Sequence, residues 1–334
     1  MTLHDDIRDL AVALMEVDST SGSEGAVVAR ADELLRGRGW PTRRIPVSPG
    51  RDCLLAMPDD PDVTLSTHLD TVPPFIPPTV QGDMLHGRGA CDAKGIAAAM
   101  IVAADRLRAQ GRRVALLFVV GEETCHDGAQ AANRWARGTL PRRPRLLING
   151  EPTESRLATG TKGAVRVTAR VAGKAAHSAY PEMGRSATRD LVRLLAELDQ
   201  LDWPVDATLG PTTVNIGHLS GGVADNVLAP SAEARLMFRL VTPVDEIRSR
   251  VEQWVAGRAT LEWGVTVPPV RLEVRDGFET AVAAFATDIP ELPDWGTPLL
   301  FGPGSVHVAH TAREQVSLTE LARAVDAYVR LAGP

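Results

Sequence analysis

Val114-Ala115-Leu116-Leu117-Phe118-Val119-Val120-Gly121-Glu122-Glu123 is the stretch around which the rest of the chain can be placed. An apolar run between Arg112-Arg113 and a glycine has the pattern of a strand buried on both faces, as in a parallel sheet. Glu122 and Glu123 then fall together at its C-terminal end. Adjacent carboxylates in a partly dry site repel, and a metal ion is the usual compensation. Taken alone, the pair reads more simply as a solvated strand end. Three further strand ends with similar chemistry shift that weighing.

Upstream, Ile7, Leu10, Ala11, Leu14 and Met15 carry helical spacing, as do Val27, Val28, Ala31, Leu34 and Leu35 before Gly37-Arg38-Gly39. Short strands are expected near 42–47, 52–57 and 63–67, the third running into His68-Leu69-Asp70, after which Pro73, Pro74, Pro77 and Pro78 enforce an extended loop. Gly87-Arg88-Gly89-Ala90-Cys91-Asp92 opens a long apolar helix at 96–109. Downstream come a helix near 127–137 and the strand Arg145-Leu146-Leu147-Ile148-Asn149. Strands alternating with helices predict an α/β sheet with helices on both faces.

From Lys162 the texture changes to two-residue alternation. Strand at 165–171, helix at 184–199, strands at 212–219 and 232–240, helix at 243–256 and strand at 260–267 predict a small α+β domain. It would have a four-stranded antiparallel sheet and two helices on one face. Thr297-Pro298-Leu299-Leu300-Phe301 is again a short buried strand, so this domain reads as an insertion. The division expected is a catalytic α/β domain, 1–161 and 268–334, and an inserted dimerisation or lid domain, 162–267. A last helix starts at a capping box, Ser317 with Glu320.

With 334 residues, 44% hydrophobic and 23% charged, the chain has ample core for two domains. A net charge of −6 argues against nucleic acid or an anionic membrane as partner. Lysine occurs only at 94, 162 and 174. Cys53, Cys91 and Cys125 are odd in number and widely spaced, which is neither a disulfide framework nor a cysteine zinc site. Without a basic and then apolar start, and without an apolar run of about 20 residues, neither a signal peptide nor a membrane span is expected, and the location expected is cytoplasmic.

His68, Asp92, Glu122/Glu123, Glu151 and His310 all fall at or just beyond expected strand ends. Singly, each has a plainer reading: core histidine, helix-cap carboxylate, loop acid, loop histidine. Together they lie where open α/β sheets collect ligands. Two histidines and several carboxylates there suit two divalent ions about 3.5–4 Å apart, with one glutamate left as general base.

Thr67-His68-Leu69-Asp70-Thr71-Val72-Pro73, Gly87-Arg88-Gly89-Ala90-Cys91-Asp92-Ala93-Lys94-Gly95, Glu122-Glu123, Gly150-Glu151-Pro152-Thr153 and His310-x-x-x-Glu314 occur in order. So ordered, they resemble the zinc-dependent exopeptidase and deacylase family of acetylornithine deacetylase, succinyl-diaminopimelate desuccinylase, aminoacylase and glutamate carboxypeptidase. The resemblance extends to Gly173-x-x-x-His177 and Gly221-Gly222-Val223-Ala224-Asp225-Asn226-Val227. It implies that His68 and Glu151 bind one zinc, Glu123 and His310 the other, and that Asp92 bridges them. Cobalt or manganese would suit the same donors. It further implies Glu122 as the base, Asp70 as the group orienting His68, and His177 as a carbonyl-polarising residue reaching a partner's site in a homodimer. Arg239 and Asn226 would hold the substrate carboxylate; for Arg239 a strand salt bridge is an equal alternative.

The activity expected from the resemblance is hydrolysis of the amide bond of an N-acyl amino acid, as in acetylornithine deacetylase. The alternative is a dipeptidase or carboxypeptidase with the same centre. Gly87-Arg88-Gly89 is too little for a nucleotide site, and a non-catalytic metal-binding scaffold ranks well below both. The segment from 270 onward is short for the family, and Phe278 to Trp295 holds Asp288 and Pro290 where a fuller strand–helix unit is expected.

Overall fold

A computed structural model describes residues 2–333. In chain order the elements are α1 (Leu3–Met15), α2 (Gly25–Gly37), β1 (Thr42–Ser48), β2 (Arg51–Ala56), β3 (Val63–His68), β4 (Thr79–Gln81), β5 (Met84–His86), α3 (Lys94–Ala109), β6 (Val114–Val119), α4 (Asp127–Thr139) and β7 (Leu146–Asn149). There follow β8 (Gly163–Ala172), α5 (Ala187–Ala196), β9 (Thr213–Gly221), β10 (Ser231–Leu240), α6 (Val244–Val255), β11 (Thr260–Val267), β12 (Thr297–Leu300), β13 (Gln315–Ser317) and α7 (Leu318–Leu331). Among the described residues, no helix is long and apolar enough to cross a membrane.

Two compact units divide the chain. One comprises Met1–Thr159, Leu272–Ala281 and Thr287–Pro334; the other Gly160–Arg271 and Val282–Ala286. The expected boundaries at 161/162 and 267/268 therefore shift by a few residues. Residues 282–286 fall in the second unit, where the Lys162 N–H donates to the Ala283 carbonyl at 3.0 Å.

In the first unit a six-stranded sheet runs β1-β2-β6-β3-β7-β12. The strands β6, β3, β7 and β12 are parallel, and β1 and β2 add an antiparallel edge. Every residue of β3, β6 and β7 is buried, the polar Thr64, Ser66 and Thr67 of β3 included, so both faces of these strands are covered. α1, α3 and α7 pack on one another, while α2 and α4 pack against β1 and β2. Alanines dominate the buried length of α3, letting it lie close to the sheet. Parallel order sends the C-terminal ends of β3, β6, β7 and β12 to one edge, and this is what positions the site.

The second unit has a four-stranded antiparallel sheet, β9-β10-β8-β11, with its own core of Val165, Leu191, Phe238 and Trp254. The α/β plus α+β expectation holds. α5 is shorter than the 184–199 expected, because Ser186 caps it from outside and the chain leaves the helix at Glu197 for a 3₁₀ turn. Ser317 does cap α7, accepting from Glu320 N, but only half the capping box forms. The Glu320 carboxylate instead takes the Gly304 N–H (2.9 Å) and the Ser155 hydroxyl (2.8 Å). Where a fuller strand–helix unit was expected before β12, a short strand, Thr280–Ala283, is followed by two 3₁₀ turns, 289–291 and 293–295, and buried Trp295 stacks on Trp135.

Candidate metal centre

His68 ends β3 with its ring buried. Its Nδ1–H donates to the Asp70 carbonyl at 2.9 Å, since a carbonyl can only accept. That assigns the proton to Nδ1 and turns Nε2 towards Asp92 Oδ1 (3.0 Å) and Glu151 Oε2 (3.8 Å). Asp92 Oδ2 faces the other way, 3.2 Å from His310 Nε2, and that nitrogen lies 3.0 Å from Glu123 Oε1. Two triads result, His68–Asp92–Glu151 and Asp92–Glu123–His310, which share Asp92 through its separate oxygens.

His68, Glu123, Glu151 and His310 arrive from the ends of β3, β6, β7 and β12, whereas Asp92 comes from the loop that opens α3. Glu122 and Glu123 sit in a turn begun by Gly121, at φ +75°, where a Cβ would stand 2.2 Å from Asp127 Oδ1. Asp70 accepts the Glu122 and Glu123 N–H groups (3.2 and 3.1 Å) and the Ser21 hydroxyl (2.8 Å). Glu151 follows β7, and His310 lies in the loop after β12 in the left-handed region, φ +61°. His307 is instead exposed, 3.8 Å from Glu154 and outside the cluster.

Two features escaped sequence reasoning. Buried Glu314 pairs with Arg88 and accepts the N–H groups of Gly89 (2.9 Å), Cys91 (3.3 Å) and Asp92 (3.2 Å). It thereby holds the loop that presents Asp92; the spacing from His310 singled out Glu314 without revealing this. The second is the contact between His126 and Asp288, taken up below.

Electrostatics follow from crowding. Burial would raise Asp92, but hydrogen bonds from His310 and His68 hold it well below the usual carboxylate range. Asp92 and Glu123 push His310 up to about 10. Burial pushes Glu151 up to about 7, and burial with the neighbouring Glu151 charge raises Glu122 well above its ordinary value. Glu151 Oε1 is buried with no hydrogen-bond partner among the described residues.

These donors fit divalent ions. Ligand atoms of a tetrahedral ion with bonds of about 2.0–2.1 Å lie roughly 3.3–3.4 Å apart. The spacings of 3.0 and 3.8 Å in one triad bracket that value, and the 3.0 and 3.2 Å of the other fall just below it. A buried carboxylate oxygen without a partner among like charges, as at Glu151, is a further mark of a cation site.

His177, Asn226 and Arg239 all belong to the second unit. His177 and Asn226 are brought together: His177 bridges Val227, and the Ser178 N–H donates to the Asn226 carbonyl at 2.9 Å. Arg239 stands near the other end of β10, opposite Thr213 and Ala164.

Two family models match the chain, a peptidase dimerisation domain over residues 159–260 and peptidase family M28 over residues 55–179. A peptidase M20 domain-containing protein of Schizosaccharomyces pombe is 36% identical across 98% of this chain and 84% of its own length. The chain belongs to peptidase family M20. A second relative, named a probable carboxypeptidase in Paracoccidioides brasiliensis, is 36% identical across 95% of the chain and 83% of its own length. Among solved structures, a Staphylococcus aureus tripeptidase superposes with a TM-score of 0.81 at 19% identity, covering 98% of each chain. That likeness shows the fold. The chain is thus a metallohydrolase of family M20, with the two triads at the sheet edge where its parallel strands end.

Proposed function

We propose that this M20 enzyme hydrolyses the amide bond that joins an acyl or peptidyl group to an amino acid with a free carboxylate. The observation that carries the reading is Asp92, whose two oxygens face His68 and His310 at 3.0 and 3.2 Å, with Glu122 near enough to Glu151 and His68 to feel their charges. His68 and Glu151 would hold one ion and Glu123 and His310 the other, with Asp92 between them; zinc is the metal proposed. Divalent ions at such donors supply Lewis acidity, polarising the scissile carbonyl and making water acidic enough to attack near neutral pH.

The chain's own residues do the rest. Glu122 accepts the proton of the attacking water and delivers it to the departing nitrogen, general acid–base work worth about 10²–10⁴ in rate. Its raised proton affinity suits a group that must hold that proton between the two steps. Asp70 fixes the His68 tautomer and pins the Glu122–Glu123 turn. Arg239 and Asn226 are proposed to bind the substrate carboxylate, Arg239 through its planar fork. His177 is proposed to polarise the carbonyl in a partner chain's site.

That last role needs a homodimer. β9 supports one: it is an edge strand, nearly all exposed, carrying Ile216 and Leu219 on its surface. The cytoplasmic location proposed is consistent with three free cysteines, two of them buried. The carboxypeptidase name of a 36%-identical relative supports a peptidyl substrate; the ordered motifs equally suit an N-acetyl amino acid.

Metal content should be measured alongside turnover of C-terminally free dipeptides and tripeptides and of N-acetyl amino acids, N-acetylornithine included, before and after chelation. About two ions per chain and chelation-sensitive cleavage are expected. Preference for peptides selects the carboxypeptidase form, and preference for N-acetyl amino acids the deacylase form. No bound ion, and no cleavage on adding one, would refute the proposal.

A further inference from the structure

Glu122 and Glu123 lie in one tight turn, Gly121 to His126, closed by the N–H groups of Thr124, Cys125 and His126 on the Gly121 carbonyl (3.4, 3.0 and 2.8 Å). Asp70 holds the first half of the turn through the Glu122 and Glu123 N–H groups. The second half ends at His126, which precedes α4 with φ +58°, a backbone state that residues bearing a Cβ avoid. There the ring donates from Nδ1 to Asp288 Oδ1 at 2.8 Å.

Both partners are buried, at 8% and 1% exposure. Asp288 comes from the short segment before β12, the place where the sequence departs from its family's pattern. It is itself fixed, because its carbonyl accepts the Glu291 N–H at 2.9 Å and the Thr287 hydroxyl accepts the Ile289 N–H at 3.3 Å. A buried carboxylate–imidazole pair is a poor way to gain stability, since desolvating it costs about as much as the pairing returns. Neither group enters the hydrolysis derived above. What the pair does supply is orientation, as carboxylates behind functional histidines commonly do.

We propose that Asp288, acting through His126, is a positioning residue for Glu122: a second clamp on the turn whose first clamp is Asp70. Held at both ends, the turn keeps the Glu122 carboxylate within reach of the attacking water instead of letting it swing towards solvent. A small misplacement of such a group is costly to the rate and nearly silent in substrate binding. The inference rests on Glu122 being the base.

The test compares Asp288→Ala, Asp288→Asn, His126→Ala and the double alanine variant in the full-length enzyme, with a peptide or N-acetyl amino acid that the wild type cleaves. Both single alanine variants should lose about 10–100-fold in kcat, with KM within about twofold and metal content retained. The double variant should be no worse than the poorer single, because one couple is being broken. Asp288→Asn, which keeps an acceptor for Nδ1–H, should recover part of the loss.

A second readout is free of turnover. In metal-free protein, amide exchange at Glu122 and Glu123 should quicken by about tenfold or more in Asp288→Ala, while the amides of β6 stay protected. Unchanged kcat in a folded Asp288→Ala enzyme would overturn the proposal, as would loss of metal in step with activity, or additive losses in the double variant. Glu122→Gln, assayed alongside, separates the two claims. Full activity there would remove the base assignment, while the exchange result would still decide the clamp.

Discussion

Loading the metal-free chain with divalent ions should expel protons, in a number that the cluster allows to be worked out. His310 is pushed up to about 10 by hydrogen bonds to Asp92 and Glu123. His68 stands well above its ordinary value, because Glu151, Asp70 and Asp92 outweigh the burial that would lower it. Glu151 is pushed up to about 7 by burial. At pH 7 the His310 ring therefore carries its second proton and Glu151 carries about half of one, while the His68 shift acts in the same direction. The two ions together need these lone pairs free, so filling the centre at pH 7 should release at least about 1.5 protons per chain, one from His310 and half of one from Glu151. The sign is fixed: ions bind the deprotonated donors, so affinity rises with pH, and its logarithm climbs by at least about 1.5 units per pH unit near pH 7. The climb should flatten above the His310 value of about 10. Calorimetric titration in two buffers of different ionisation enthalpy measures the count directly. Release of fewer than about one proton would mean that the rings were already neutral beside their carboxylates, which would refute this account of the electrostatics. The same protonation also affects folding of the metal-free chain. A raised histidine pKa contributes stability that is fully present below the unfolded value of about 6.5 and lost as pH rises. For His310 that loss runs through about 10, so the thermal midpoint of the apoprotein should fall between pH 7 and 10.

Other outcomes follow from single contacts. Glu122→Gln should keep both ions and lose about 10²–10⁴ in kcat, checked by metal analysis with steady-state kinetics. Glu314→Ala leaves the Arg88 guanidinium buried without its carboxylate and frees three loop N–H groups; a loss of about 3–5 kcal/mol is expected in urea unfolding, with weaker metal retention. Ile216→Lys with Leu219→Lys on the exposed β9 edge should give a monomer by light scattering, with the fold intact by circular dichroism.

What could be read from the sequence was whatever repeats locally. β6 announces itself as an unbroken apolar run and β3 as Val63 and Leu65 alternating with small polar residues; the carboxylates follow the one and His68 ends the other, so strand ends and candidate ligands came together. β4, β5 and β13 could not be seen, because strands of three residues carry no period. The half-formed capping box at Ser317 has another cause: local pattern says what Glu320 can do, while tertiary contact with Gly304 decides what it does. Glu314 and the His126–Asp288 contact are long-range pairings between residues that look ordinary where they stand. Asp288 was conspicuous only because the segment around it is short for the family.

The residues at the two triads are drawn from position 68 to position 310, one from nearly every parallel strand end. A chain with any of β3, β6, β7 or β12 out of place cannot assemble both triads. Ion uptake would therefore act on the finished native state alone and tax no partly folded form. Each site would add RT ln(1 + [M]/Kd) to native stability, about 2.7 kcal/mol at a free ion concentration one hundred times Kd. Because the parallel pairings that assemble the triads are distant in sequence, they form slowly. Added metal should accordingly leave the refolding rate nearly unchanged and appear almost wholly as slower unfolding.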